Sequence, residues 1–138
     1  MPDTSGSGLL DTSVVILLSR LRNPGVLPEV PLISTITLAE LSVGPLVART
    51  DAERAARQSV LQQAEADFDP LPFDDRAARA FGRVAAGLRG AGRTVRARSY
   101  DAMVAAVALA NGLPLYTANP ADLDGIDELD VRVVHDPS

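Results

Sequence analysis

The sequence predicts an α/β protein, a three-layer α/β/α sandwich around a mostly parallel sheet. Three observations lead there. Short apolar runs alternate with longer stretches of helical pattern from Gly8 to His135, the order expected of βαβ units. One of the helical stretches, Ala102 to Ala110, is apolar on every side, and such a helix is buried rather than laid on a surface. The 138 residues suffice for one hydrophobic core and not for two.

The elements follow in order. Residues 1–8 are rich in Ser and Gly, without a basic or an apolar segment, and read as a flexible leader rather than a signal peptide. Gly8-Leu-Leu-Asp11 is a short first strand, and Thr12 to Arg22 a largely apolar helix ended by the turn residues Asn23-Pro-Gly25. Pro31-Leu-Ile-Ser34 is a second strand, followed by a helix from about Leu38 to Ala48. Asp51 to Phe68 is amphipathic, and its acidic start suits the positive end of a helix. Asp69-Pro-Leu-Pro-Phe73 is extended, and its prolines confine it to an edge or a very short strand. Asp74 caps a helix running to about Arg89, which Gly90-Ala-Gly92 breaks. Ser99 opens the buried helix, which ends at Gly112. Leu113 to Thr117 is a strand, Asn119 to Gly125 a short helix or turn, and Val131 to His135 a last strand. The domain proper is expected over residues 9–135, with 136–138 as a tail.

With 46% hydrophobic and 22% charged residues the chain has the balance of an ordinary soluble protein. No apolar run reaches the roughly 18 residues that span a bilayer, and a cytoplasmic location is the expectation. The absence of cysteine excludes disulfides, zinc–cysteine sites and thiol nucleophiles. All thirteen basic residues are arginine. Without lysine there is no P-loop, and phosphatases of the haloacid-dehalogenase type and response-regulator receivers lose support for the same reason. The former also need a second Asp where Ser13 stands. The net charge of −5 is unusual for a nucleic-acid binder, yet its distribution is uneven. Between Asp75 and Asp101 there is no acid, while Arg76, Arg79, Arg83, Arg89, Arg93, Arg96 and Arg98 fall there. That stretch could present guanidinium groups to phosphates, or simply be a solvated helix face.

Four acids share one local setting. Asp11 ends the first strand, Glu40 lies three residues after Thr37, Asp101 two after Ser99, and Asp122 three after Asn119. Each alone has a structural explanation. Thr37-x-x-Glu40 has the pattern of a capping box, and Asn119-Pro-x-Asp122 that of a cap. Acids at helix starts gain about 0.3–1 kcal/mol from the dipole. Together they say more, because the carboxyl ends of parallel strands lie along one edge, where ligands bind. Asp11, Glu40 and Asp122 each follow an expected strand and should gather on that edge; Asp101 follows a loop, and periodicity alone does not place it there. Close carboxylate pairs repel by roughly 4 kcal/mol at about 4 Å and an effective dielectric of 20. Such a cluster needs shared protons or a cation. Oxygen ligands without Cys or a His pair favour Mg2+ or Mn2+ over zinc. An ion held there would activate water and neutralise a phosphate, so that hydrolysis needs no protein nucleophile. The single histidine, His135, reads as structural or surface.

The segments Leu9-Leu-Asp-Thr-Ser-Val-Val-Ile16, Ile33-Ser-Thr-Ile-Thr-Leu-Ala-Glu-Leu-Ser-Val-Gly44, Tyr100-Asp-Ala-Met-Val-Ala105 and Leu115-Tyr-Thr-Ala-Asn-Pro-Ala-Asp-Leu123 resemble, in order and spacing, the motifs of PIN-domain VapC toxins of bacterial toxin–antitoxin pairs. The resemblance runs from about Leu9 to Val134. It implies an endoribonuclease with a carboxylate site for Mg2+ or Mn2+. In it Asp11, Glu40 and Asp101 are the principal acids and Asp122 the fourth, with Asp124 as the alternative to Asp122. Thr12, Ser13, Thr117 and Asn119 are implied as supporting polar groups. Arg89, Arg93, Arg96 and Arg98 become candidates for RNA contact. The resemblance also implies a homodimer and a cognate VapB-type antitoxin, seated over the helices from Leu38 to Phe68. The chain departs from the family at Leu123, where an aromatic is common, and at Ala118, where arginine is. A different class of function, a PIN module that binds RNA or a protein without cutting, would be expected to lack an acid.

Overall fold

A computed structural model describes residues 6–137; residues 1–5 of the expected leader and Ser138 lie outside the described residues. The chain runs β1 (Ser7–Leu10), α1 (Thr12–Leu17), β2 (Val30–Leu32), α2 (Thr35–Val43), α3 (Asp51–Asp67), α4 (Asp75–Gly90), α5 (Ser99–Ala110), β3 (Leu115–Thr117) and β4 (Val131–Val133). Short 3-10 turns at Leu18–Arg20, Gly44–Val47, Arg96–Arg98 and Pro120–Leu123 extend or join these elements. The strands form one sheet in the order β2-β1-β3-β4. All three pairings are parallel, with Leu9 opposite both Leu32 and Leu115, and Leu115 opposite Val131. Leu71 adds a single parallel bridge to Ser34, the very short edge segment expected of Asp69–Phe73.

Side chains alternate across the strands, and the alternation divides the interior into two cores. Leu9 and Leu115 face α4 and α5, among Val84, Leu88, Ala102, Ala105 and Val107. Leu10 and Tyr116 face the other way, onto Val14 and Val15 of α1, Leu41 of α2 and Ala64 of α3. This is the three-layer sandwich. Six residues of α5 are buried, as its uniform apolar composition requires.

Several boundaries differ from expectation. Ser7 pairs with Val30, so the first strand starts one residue before the expected Gly8, inside the segment expected as a leader. The first helix turns 3-10 after Leu17 and is over by Arg20. The helix α2 begins at Thr35, three residues before the expected Leu38. Its cap is Ser34, whose hydroxyl accepts the Thr37 N–H, and not Thr37. The β-branched run Thr35-Ile-Thr37 has low helix propensity, which hides the start. Asp74 does cap α4, and the break follows at Gly92, whose φ of 77° lets the Arg93 N–H return to Leu88 O. The last strand ends at Val133, so His135 lies beyond it, exposed. Among the described residues no helix is long and apolar enough to cross a membrane.

Candidate functional site

The strand order places β1 between β2 and β3, and the chain leaves β1 and β3 toward different layers. The crevice outside the carboxyl ends at such a point is where open α/β sheets bind ligands. Asp11 stands there as the N-cap of α1, only 9% exposed. Its carboxylate accepts the Val14 N–H at 3.3 Å and a short hydrogen bond from the Ser13 hydroxyl. Ser13 Oγ in turn accepts the Ala118 N–H at 3.0 Å, which ties the end of β1 to the end of β3.

Glu40 enters from α2, more than a turn past the Ser34 cap. The Thr12 hydroxyl donates to its Oε1 at 2.7 Å and lies 3.1 Å from the hydroxyl of Thr37, which is fully buried. Thr37, expected only as a cap, is thus part of the wall behind Glu40. The Thr12–Glu40 contact joins residues 28 apart in sequence, and no local pattern announces it.

Asp101 lies in the first turn of α5. Burial, then the charges of Asp122, Asp11 and Glu40, push its carboxyl up to about 6, with Arg98 acting the other way. Glu40 is also raised, by burial first; the hydrogen bond from Thr12 opposes this and the charge of Asp11 adds to it. Asp101, the acid that periodicity did not place, is therefore the one that the charges of the other three reach. Asp122 sits on the turn Pro120–Leu123, its Oδ1 3.3 Å from Arg98 Nη1. Asp124 is exposed and paired with Arg93 at 3.1 Å. Of the two, Asp122 is the acid whose charge reaches Asp101.

Thr117 is fully buried and its hydroxyl accepts the Asn119 N–H at 3.0 Å. The Asn119 side chain is exposed and does not cap the turn that follows, contrary to the expected Asn119-Pro-x-Asp122 cap. The arginine-rich stretch is not a free basic face. Arg76, Arg79, Arg83, Arg93 and Arg98 pair with Asp74, Asp75, Glu128, Asp124 and Asp122. Arg89 and Arg96 are exposed and carry no ion pair among the described residues.

The carboxylates are turned toward partners of their own: Asp11 to Ser13, Glu40 to Thr12, Asp122 to Arg98. Among the described residues, no three acidic or histidine side chains are close enough, as placed, to hold one ion. The repulsion expected of the cluster is relieved by hydrogen bonds, by a guanidinium, and by an Asp101 carboxyl that keeps its proton until near neutrality. What the arrangement offers chemically is an oxygen-only donor set with excess negative charge.

A family model described as the PIN domain matches residues 9–129. Ribonuclease VapC5 of Mycobacterium tuberculosis is 38% identical over 135 residues, which cover 95% of this chain and 98% of that protein. The crystal structure of VapBC-5 from the same organism, a member of the VapBC family of toxin–antitoxin systems, matches with a TM-score of 0.76. That match has 38% identity and covers 94% of this chain and 98% of that one. The DNA-bound VapBC structure from Salmonella typhimurium matches with a TM-score of 0.74 over 92% and 97% of the two chains. At 24% identity this last likeness is one of fold.

Proposed function

The chain belongs to the PIN-domain family, among the VapC ribonucleases, and from that premise we propose that it is the toxin of a type II toxin–antitoxin pair, an endoribonuclease dependent on Mg2+ or Mn2+. The observation that carries this reading is that Asp11, Glu40 and Asp122 come near enough to Asp101, at the carboxyl edge of the sheet, for their charges to raise its carboxyl. The donors fit a hard divalent ion in kind, being carboxylates without sulfur or imidazole. Their repulsion fits it in charge. Asp11, Glu40 and Asp101 would hold the ion, with Asp122 as the fourth acid. A bound ion supplies activated water and offsets the charge that grows on the phosphate in hydrolysis.

The chain's own groups prepare the site. Ser13 fixes Asp11 and, through the Ala118 N–H, the spacing of β1 and β3. Thr12, at the start of α1, orients Glu40 of α2. Thr117 braces the Asn119 backbone where the turn carrying Asp122 begins. Burial of Asp101 limits water around its carboxyl, which strengthens every charge interaction it makes.

RNA is the substrate, and the cytoplasm the place of action. The second partner is a VapB-type antitoxin. An apolar cavity of about 300 Å³ between α1 and α3, lined by Val15, Ile16, Leu18, Val60, Ala64 and Phe68, suits the apolar side of an antitoxin helix. Ile16 is 46% exposed there. One wall of this groove is α3, within the helices from Leu38 to Phe68, and α1 with its 3-10 extension is the other. The toxin pairs with a second copy of itself as a homodimer.

The test uses purified chain, RNA and either metal. Cleavage is expected with Mg2+ or Mn2+, abolished by EDTA, and suppressed by an antitoxin whose crosslinks fall on α1 and α3. A protein that cuts no RNA under any metal refutes the nuclease, and crosslinks elsewhere refute the groove.

A further inference from the structure

Tyr100 is the aromatic side chain that the two cores leave out. The chain has five aromatic residues, two Tyr and three Phe. Tyr116 is buried, and Phe68, Phe73 and Phe81 pack against one core or the other. Tyr100 is 46% exposed in the first turn of α5. Among the described residues its hydroxyl has no hydrogen-bond partner and its ring no ring neighbour. Single exposed apolar residues are usual on a protein surface, and what sets this one apart is its neighbours. Asp101 follows it directly, and Arg96, in the turn that leads into α5, is exposed and without an ion pair among the described residues.

Successive side chains on a helix stand about 100° apart around its axis. The Asp101 carboxyl is half-buried and within reach of the charges of Asp11, Glu40 and Asp122, whereas the ring before it is open to solvent. Tyr100 thus borders the crevice without filling it. A single strand of RNA splays its bases away from its backbone, and each unstacked base seeks a flat apolar partner. An aromatic ring serves any base, since every base has a π face, and a guanidinium beside it takes a phosphate. Resting on the nuclease reading above, we propose that Tyr100 is the stacking platform for an unpaired base next to the scissile phosphate, with Arg96 holding the adjoining backbone. The ring does this alone; the hydroxyl is not required. A protein partner suits the place less well, because its contact would centre on several apolar side chains. Among the described residues, no other large apolar side chain of α5 or of the turn before it is exposed.

Binding measurements on the full chain in EDTA test this, with two probes: a short single-stranded RNA, and the same ribose–phosphate chain without bases. Y100A weakens the RNA about tenfold to a hundredfold and binds the baseless chain as the wild type does. Y100F matches the wild type on both probes. Y100L, apolar but not flat, loses RNA as Y100A does and reports in its place where Y100A does not fold. The salt dependence of RNA binding is unchanged in Y100A, while its slope falls by about 0.7 in R96Q, which gives up a phosphate contact. The chain has no tryptophan, so Y100W carries a lone indole, whose emission falls with RNA and stays level with the baseless chain. Unchanged RNA affinity in Y100A and Y100L, equal losses on both probes, or Y100W emission indifferent to RNA overturns the proposal and leaves the nuclease standing. If Y100A binds RNA normally and no longer dimerises, the ring belongs to a contact between copies, and the proposal is overturned. A wild type that prefers RNA to the baseless chain, loses that preference in Y100A, and cuts nothing under any metal keeps the stacking and loses the nuclease. A wild type that binds no RNA loses both.

Discussion

At the scale of single residues, Asp101 is where charge and burial meet most sharply. Its carboxyl is held at about 6, against an ordinary 3.8, by burial and by three neighbouring acids. In the metal-free protein the folded state therefore keeps this proton between about pH 4 and 6, where the unfolded chain has lost it. Stability from this group is greatest below that window and is lost as pH rises through it, because the folded state binds the extra proton. Asp101→Asn removes the ionisation. In EDTA, the melting temperature of D101N relative to the wild type should climb as pH rises from 4 to 7, while RNA cleavage in Mg2+ disappears. A difference in melting temperature that does not change with pH would mean that Asp101 stands apart from the other acids.

At the scale of elements, the turn bearing Asp122 is held by a close approach of two glycines. A Cβ on Gly87 of α4 would lie 2.4 Å from Gly125 O, and one on Gly125 would lie 2.3 Å from Gly87 O. Both obstacles are backbone, so neither can swing aside. Gly87→Ala should push the turn away from the site, costing about 1–3 kcal/mol in denaturant unfolding and lowering metal-dependent cleavage. Gly82→Ala in the same helix, where nothing lies within 4 Å, should instead gain up to about 1 kcal/mol. Equal effects of the two would remove the case for this contact. No sequence pattern marks Gly87 or Gly125 as partners, because their proximity depends on how α4 meets a distant turn. The same holds for Thr12 with Glu40 and Arg98 with Asp122, which are contacts between remote segments. By contrast the presence and order of the four strands, the Asp74 cap and the buried α5 are readable, since each rests on a local pattern of apolar spacing or helix-start chemistry. The start of α2 at Thr35 is masked for a local reason. Two capping patterns overlap at Ser34 and Thr37, and the β-branched residues between them look like strand. Three of the four acids are readable at the starts of helices or turns, whereas Glu40 lies a turn inside α2; and only Asp11, Glu40 and Asp122 are assigned to one edge, because the loop before α5 has no periodicity to orient Asp101.

At the scale of the whole molecule, the question is how a chain of net charge −5 meets a polyanion. Seven arginines between Asp75 and Asp101 would suffice if they faced the RNA freely. For single strands the logarithm of the binding constant falls with the logarithm of salt by about 0.7 per phosphate neutralised, so seven contacts give a slope near −5. Five of the seven already hold acids of the chain itself, leaving Arg89 and Arg96. An exposed ion pair is worth only about 0–1 kcal/mol, but giving it up leaves an acid facing the incoming phosphate, so a paired arginine gains little by switching. The slope should then be about −1.4, the value for two contacts. Binding of a short RNA in EDTA, where it is held but not cut, measures this across a monovalent salt series. R89Q/R96Q should bring the slope close to zero, whereas replacing Arg76 and Arg79 should leave it unchanged. A wild-type slope near −5 would show that the internal pairs open on contact and that the whole arginine stretch binds RNA.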